Sequence, residues 1–151
     1  MMKILFATDG AKQSTAAIDM LKNFHLGDGD EIRVISVVDM AVPLAIDIYG
    51  GYLPDTTELE KTAKENAAKI LEDASRQIKS HFAEKVGVST EVLFGSPDSR
   101  IVETAEEMHA DMIVVGSHGY SRWERLLLGS TSDSVVHHAP CSVLVVRSPK
   151  E

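Results

Sequence analysis

Short apolar runs alternate along the chain with segments of helical periodicity. Runs that read as strands lie at residues 3–8, 31–38, 88–94, 112–116 and 142–146. Four are dense in Val, Ile, Leu or Met with little polar alternation, the pattern of parallel strands covered on both faces. The run at 88–94 does alternate, which predicts an edge or half-exposed position.

Between the runs lie four helical segments. In the first, Ala17, Met20, Leu21 and Phe24 form one stripe at i, i+3, i+4, i+7. The second is long, about 57–82, and its apolar face carries Leu59, Ala63, Ala67, Ile70, Ala74, Ile78 and Phe82. Glu60 with Lys64 and Glu65 with Lys69 give i,i+4 pairs on its wet side. The third opens with Ser96-Pro97-Asp98, an N-cap, a proline at N1 and an acid in the first turn. Ile101, Val102, Ala105 and Met108 form its apolar side. The fourth runs from about Ser130 to His138 and stops at Ala139-Pro140, since the residue before a proline is pushed out of helical conformation.

The resulting order is β-α-β-α-β-α-β-α-β. Such alternation predicts an α/β fold: a single open five-stranded parallel sheet with right-handed crossovers and helices on both faces. No linker, repeat or low-complexity tract divides the chain, so residues 1–151 read as one domain. The irregular stretch 40–55, broken by Pro43, Gly50, Gly51 and Pro54, reads as a mobile flap near a site.

The chain has 151 residues, 44% hydrophobic and 25% charged, enough to fill the core of one domain. Its formal net charge of −8 removes any electrostatic drive toward nucleic-acid backbone or anionic membrane. The single cysteine, Cys141, builds neither a disulfide framework nor a multi-thiolate site and reads as a small buried hydrophobe. Residues 4–7 are too short for the apolar core of a secretory signal, and no run approaches the roughly 20 apolar residues of a bilayer span. The expectation is a soluble cytoplasmic protein.

Open α/β sheets bind ligands at the carboxyl ends of their strands, where strand order reverses. The ends here are Ala7-Thr8-Asp9-Gly10, Val37-Val38-Asp39, Phe94-Gly95 and Val115-Gly116. The last leads into Gly116-Ser117-His118-Gly119, then nine residues, then Gly129-Ser130-Thr131 at the start of the fourth helix. Glycines let backbone N–H groups turn inward without Cβ obstruction. The free amides and dipole of a helix start favour an anion. Ser130, Thr131 and Ser132 add hydroxyls. This is a phosphate cradle made without a lysine, with Arg122 and Arg125 in its loop to offset the acidic net charge. Asp9 reads equally as a ligand for a magnesium ion brought by the nucleotide or as a cap on the first helix.

Competing motifs fail. No glycine is followed by lysine, so there is no Walker-type loop. Gly27-Asp28-Gly29 lacks a third glycine at position 32 and precedes a strand, so it reads as a turn. There is neither a nucleophile elbow nor a zincin helix. Pro140 breaks the helix between His137, His138 and Cys141, which argues against a metal site there. His25, His81 and His109 lie near helix ends and read as surface residues. A receiver domain needs an aspartate after the third strand, where Phe94-Gly95-Ser96 stands.

The pattern Gly-x-x-Gly, nine residues, Gly-Ser resembles the nucleotide-binding motif of the ATP-binding universal stress proteins. The similarity covers nearly the whole chain. It includes Ile4 through Gly10, Val37-Val38-Asp39, Ala110 through Gly116, and His138 through Val146. The resemblance implies a strand order of 3-2-1-4-5. It implies adenine between the first two strand ends near Ala7, Asp9 and Val37, and ribose near Asp39 or Gly116. Phosphates would lie on Gly119, Ser121, Arg122, Ser130, Thr131 and Ser132, within the segment that also holds Ser117, His118 and Gly129. Ala11 stands where the family often has Ser, Thr131 replaces a common Val, and His118 sits where Arg or His is usual.

The expected function is that of an ATP-binding stress-response protein acting as a nucleotide-dependent switch or sensor. Its ligand would be ATP with Mg or Mn, with AMP or another adenine nucleotide as the variant. A slow ATPase or phosphotransferase using the same pocket is the alternative. The resemblance further implies a homodimer through the last strand, Ser142–Val146, and an unknown protein partner.

Overall fold

The computed structural model describes residues 1–39, 56–117 and 129–148. The expected flap at 40–55 and the residues His118, Gly119, Ser121 and Arg122 lie outside them. The described elements are β1 (Lys3–Ala7), α1 (Lys12–Leu21), β2 (Glu31–Val38), α2 (Thr56–Phe82), β3 (Gly87–Phe94), α3 (Pro97–Glu107), β4 (Met112–Gly116), α4 (Ser130–His138) and β5 (Ser142–Val146). All strand pairs are parallel, in the order β3-β2-β1-β4-β5. The alternating strand β3 is an edge, as its pattern predicts.

Strand alternation sorts the side chains into two cores. Ile4 and Phe6 of β1 join Ile32, Val34, Met112 and Val114 on one face, under Ala17, Ile18 and Leu21 of α1 and Leu71, Ala74 and Ile78 of α2. Leu5 of β1 joins Ile113 and Val115 on the other face, under Ile101, Ala105 and Met108 of α3 and Val135 of α4. Helices α1 and α2 thus cover one face and α3 and α4 the other. The change of face occurs between β1 and β4, and strand order reverses there too.

The apolar stripe of α2 differs from the expected one at its start. Leu59 is 51% exposed, and tight burial begins at Ala67. A helix of 27 residues spans about 40 Å, whereas the eight-residue strands it crosses span about 26 Å, so its first turns overhang the sheet. Leu71 is buried where Ile70 was expected; Ile70 sits half-buried against the β1–α1 turn. In α1, Met20 is exposed, and Phe24 packs on the core from just beyond the helix.

The end of α3 is closed without glycine. His109 takes a φ of 53°, the N–H of His109 bonds to the Glu106 carbonyl at 3.1 Å, and the N–H of Ala110 bonds to the Ala105 carbonyl at 2.9 Å. This is the Schellman arrangement, which consumes carbonyls the helix end would leave unpaired. It directs the chain into β4. Half-buried Cys141 packs with the second core as a small hydrophobe, and burial, with the Asp111 carboxylate, pushes its thiol pKa up. No described helix is long and apolar enough to cross a membrane.

Candidate functional site

At the switch between β1 and β4 the carboxyl ends of the strands open into a cleft. Ala7, Thr8 and Asp9 line it from β1, Ile35 and Val37 from β2, and Val115 and Gly116 from β4. Gln13 and Ser14 come from α1, Pro97 and Ile101 from α3, Thr131 and Ser132 from α4. Ala7, Ile35, Val37 and Ile101 give the lining apolar surface. Ser14, Thr131 and Ser132 add hydroxyls, Gln13 a carboxamide, and Thr131 and Ser132 belong to the first turn of α4.

The β1–α1 turn is held by its own polar groups. Gly10 has a φ of +79°, and a Cβ there would stand 2.9 Å from Ile70 Cγ1, so the position demands glycine. The Gly10 N–H donates to Thr8 Oγ1 at 3.2 Å. The Asp9 carboxylate accepts the Ala11 N–H at 2.9 Å and the Ser14 hydroxyl at 3.3 Å, both on Oδ1. Ala11 is the N-cap of α1 and brings no side-chain cap, so the carboxylate two residues earlier satisfies an amide at the helix start. Of the two roles read for Asp9, the capping contacts are made within the chain.

Gly116 ends β4 against the first turn of α1. A Cβ on Gly116 would stand 2.8 Å from Gln13 Cβ and 3.4 Å from the Gln13 carbonyl carbon. Real Cβ atoms do not approach so closely, so glycine is what lets α1 rest on the end of β4. Buried Ser117 follows, its N–H donating to the Val146 carbonyl at 2.9 Å. Gly129 is the N-cap of α4, with exposed Ser130 next. Ser132 is buried and its hydroxyl donates to the Gly116 carbonyl at 2.8 Å. The two glycine ends of the expected cradle are therefore braced to one another.

A second brace joins α3 to α4. The Ser134 hydroxyl donates to Asp98 Oδ2 at 2.7 Å, and the Ser96 hydroxyl donates to Asp98 Oδ1. Those two hydroxyls, with the Ser99 N–H, hold the Asp98 carboxyl below its ordinary value of 3.8. His138 Nδ1 lies 2.8 Å from the Ser134 carbonyl, which can only accept, so Nδ1 carries the proton. His137 lies 3.5 Å from Asp133 on the exposed side of α4. Among the described residues no group of three His, Cys, Asp or Glu side chains is placed to hold a metal ion.

The sequence model of the Universal stress protein family matches residues 1–147. The chain belongs to the universal stress protein family. Universal stress protein MJ0531 of Methanocaldococcus jannaschii is 35% identical over 151 residues, covering 99% of this chain and 84% of the relative. Among solved structures, hypothetical protein MJ0577 superimposes with a TM-score of 0.80 at 26% identity, covering 99% of this chain and 97% of that one. A universal stress protein in complex with cAMP gives 0.65 at 22% identity, covering 98% of each chain. A universal stress protein family protein from Arabidopsis thaliana with AMP bound gives 0.67 at 17% identity, covering 99% of this chain and 93% of that one. These last two share the fold.

Of the residues expected from this universal stress protein's sequence, Ala7, Asp9, Val37, Gly116, Thr131 and Ser132 line one cleft. Gly129 and Ser130 stand at the α4 start beside it. Asp39 is exposed just past β2 and does not line the cleft. Thr8 and Val115 belong to strand ends the sequence already marks, whereas Gln13, Ser14, Ile35, Pro97 and Ile101 were missed. Helical spacing carries a signal for some of them. Gln13 precedes Ala17 by one turn, and Pro97 precedes Ile101 by one turn, so extending each apolar stripe toward the helix start reaches the cleft.

Proposed function

We propose that this cleft binds an adenine nucleotide, ATP with Mg or Mn in the first instance, and that the protein acts as a nucleotide-dependent switch or sensor in a cytoplasmic stress response. The observation that carries the reading is the polarity of the cleft. Ala7, Ile35, Val37 and Ile101 offer apolar surface for a base, and a helix start headed by Gly129 offers amides for phosphates. The residues present therefore fit the ligand class. Family membership supports the reading, as do the cAMP and AMP complexes of two proteins with this fold. A divalent ion accompanying ATP would find in Asp9 a hard oxygen ligand.

Self-association through β5 completes the proposal. Val143, Leu144 and Val145 are half-buried on a sheet edge that the family resemblance pairs with the same strand of a second copy. An unidentified protein partner would read the nucleotide state of the dimer.

Thermal denaturation tests the nucleotide. Ligand at a hundredfold its Kd stabilises by about 2.7 kcal/mol, which for a domain of this size raises Tm by about 5–10 °C. Mg·ATP should produce that shift, and Gly129→Val should abolish it by placing a branched side chain in the cradle. An unshifted wild-type melting curve at millimolar ATP overturns the reading. Mass spectrometry of nucleotide released from freshly purified protein would name the ligand.

A further inference from the structure

Helices α3 and α4 both line the cleft, α3 through Pro97 and Ile101 and α4 through Thr131 and Ser132. The two helices share the second core through Ile101, Ala105 and Val135. They are also joined by a polar bridge, in which the Ser134 hydroxyl donates to Asp98 Oδ2 at 2.7 Å across 36 positions of sequence. The Ser96 hydroxyl donates to Asp98 Oδ1, so both carboxylate oxygens are engaged and the side chain is held in one orientation. Asp98 precedes Ile101 by three positions, and Ser134 follows Thr131 by three. Residues three apart are neighbours on a helix surface. On each helix the bridge therefore stands beside a residue of the cleft lining.

We propose that Asp98 and Ser134 are positioning residues for the ligand: their bond sets the separation of α3 and α4, and hence the width of the cleft that the nucleotide enters. The role rests on the nucleotide reading of the cleft and deepens it. Neither side chain belongs to the cleft lining, so both act through the helices that carry them and not by touching the nucleotide. Without the bridge, Ile101, Ala105 and Val135 still hold the helices together. Apolar contact is non-directional, however, and fixes no single separation, whereas a hydrogen bond does. A ligand gains most from walls already at the bound separation, because the cost of ordering them has been met in folding. With the bridge gone, that cost falls on binding.

The test is calorimetric titration with AMP and Mg·ATP of wild type, Asp98→Ala, Ser134→Ala, the double variant and Ser134→Thr, each well below its melting temperature. Each single alanine variant should bind both nucleotides about fivefold more weakly, the worth of one hydrogen bond. The double variant should bind no more weakly than either single one, because the same bond is lost in all three. Ser134→Thr keeps the hydroxyl and should bind as wild type does. A merely structural bridge would lower Tm and leave nucleotide affinity unchanged, and that result overturns the role while the nucleotide reading stands. Losses that add in the double variant overturn it too, since the two residues would then act separately. So does a loss in Ser134→Thr as large as in Ser134→Ala. A wild type that binds neither nucleotide overturns the nucleotide reading, and this role falls with it.

Discussion

The hydroxyl of Ser132 in α4 donates to the backbone carbonyl of Gly116 at the end of β4, across 2.8 Å and 16 positions of sequence. The bond fixes the start of one helix to the end of one strand, at the two ends of the expected cradle. Ser132→Ala deletes the donor and leaves that carbonyl without it. The expected cost is about 1 kcal/mol, a fall of about 2–4 °C in Tm. Nucleotide affinity should fall as well, because the α4 amides lose their anchor. Melting curves and titration of the variant check both. A lower Tm with unchanged affinity would show the brace to be structural only.

The Asp98–Ser134 bond is predicted to act through pH. Hydroxyls from Ser96 and Ser134 depress the folded pKa of Asp98, so the unfolded chain binds its proton more readily. The stabilisation is therefore present at neutral pH and is lost as pH falls below 3.8 and through the depressed folded value. At neutral pH Ser134→Ala should cost about 1 kcal/mol or less, since the carboxylate is largely solvated. The gap between wild type and variant should close at acid pH. Denaturant titrations across pH measure it, and a gap independent of pH would show that the carboxylate charge does not matter to the bond.

Self-association is expected to run through β5. Placing a lysine at Val145 should give monomer or aggregate, because a charge cannot be buried in a strand pair without a partner. Sedimentation velocity decides. A wild type that remains a stable monomer at micromolar concentration removes β5 as a dimer edge.

Turnover is expected to be slow. Hydrolysis needs an oriented water and a group to receive its proton. Among the described cleft residues, the carboxylate nearest that task is Asp9, whose Oδ1 already accepts the Ala11 N–H and the Ser14 hydroxyl. Phosphate release should lie far below about 10 s⁻¹, the median for enzymes. Asp9→Asn should change the rate little. Release of several phosphates per second, lost in Asp9→Asn, would make the protein an ATPase.

What the sequence determined by itself is local. Runs such as 112–116 and 142–146, apolar but for Ser142 and rich in valine, are strands wherever a parallel sheet is covered on both faces. Ser96-Pro97 starts a helix because proline is preset for N1, and Ala139-Pro140 ends one. Gly116 and Gly129 mark the two ends of the expected cradle because their spacing does not depend on how the helices pack. The tertiary structure decided what no period along the chain encodes. That Leu59 is exposed follows from a helix longer than the sheet it crosses. That Gln13 faces the cleft follows from α1 lying on the end of β4, a contact between residues 103 positions apart. That Asp98 meets Ser134 follows from α3 and α4 sharing one face after strand order reverses at β1. Side-chain period reports which side of its own element a residue occupies; which neighbour waits there is set by chain reversals, and those are settled only when both cores pack together.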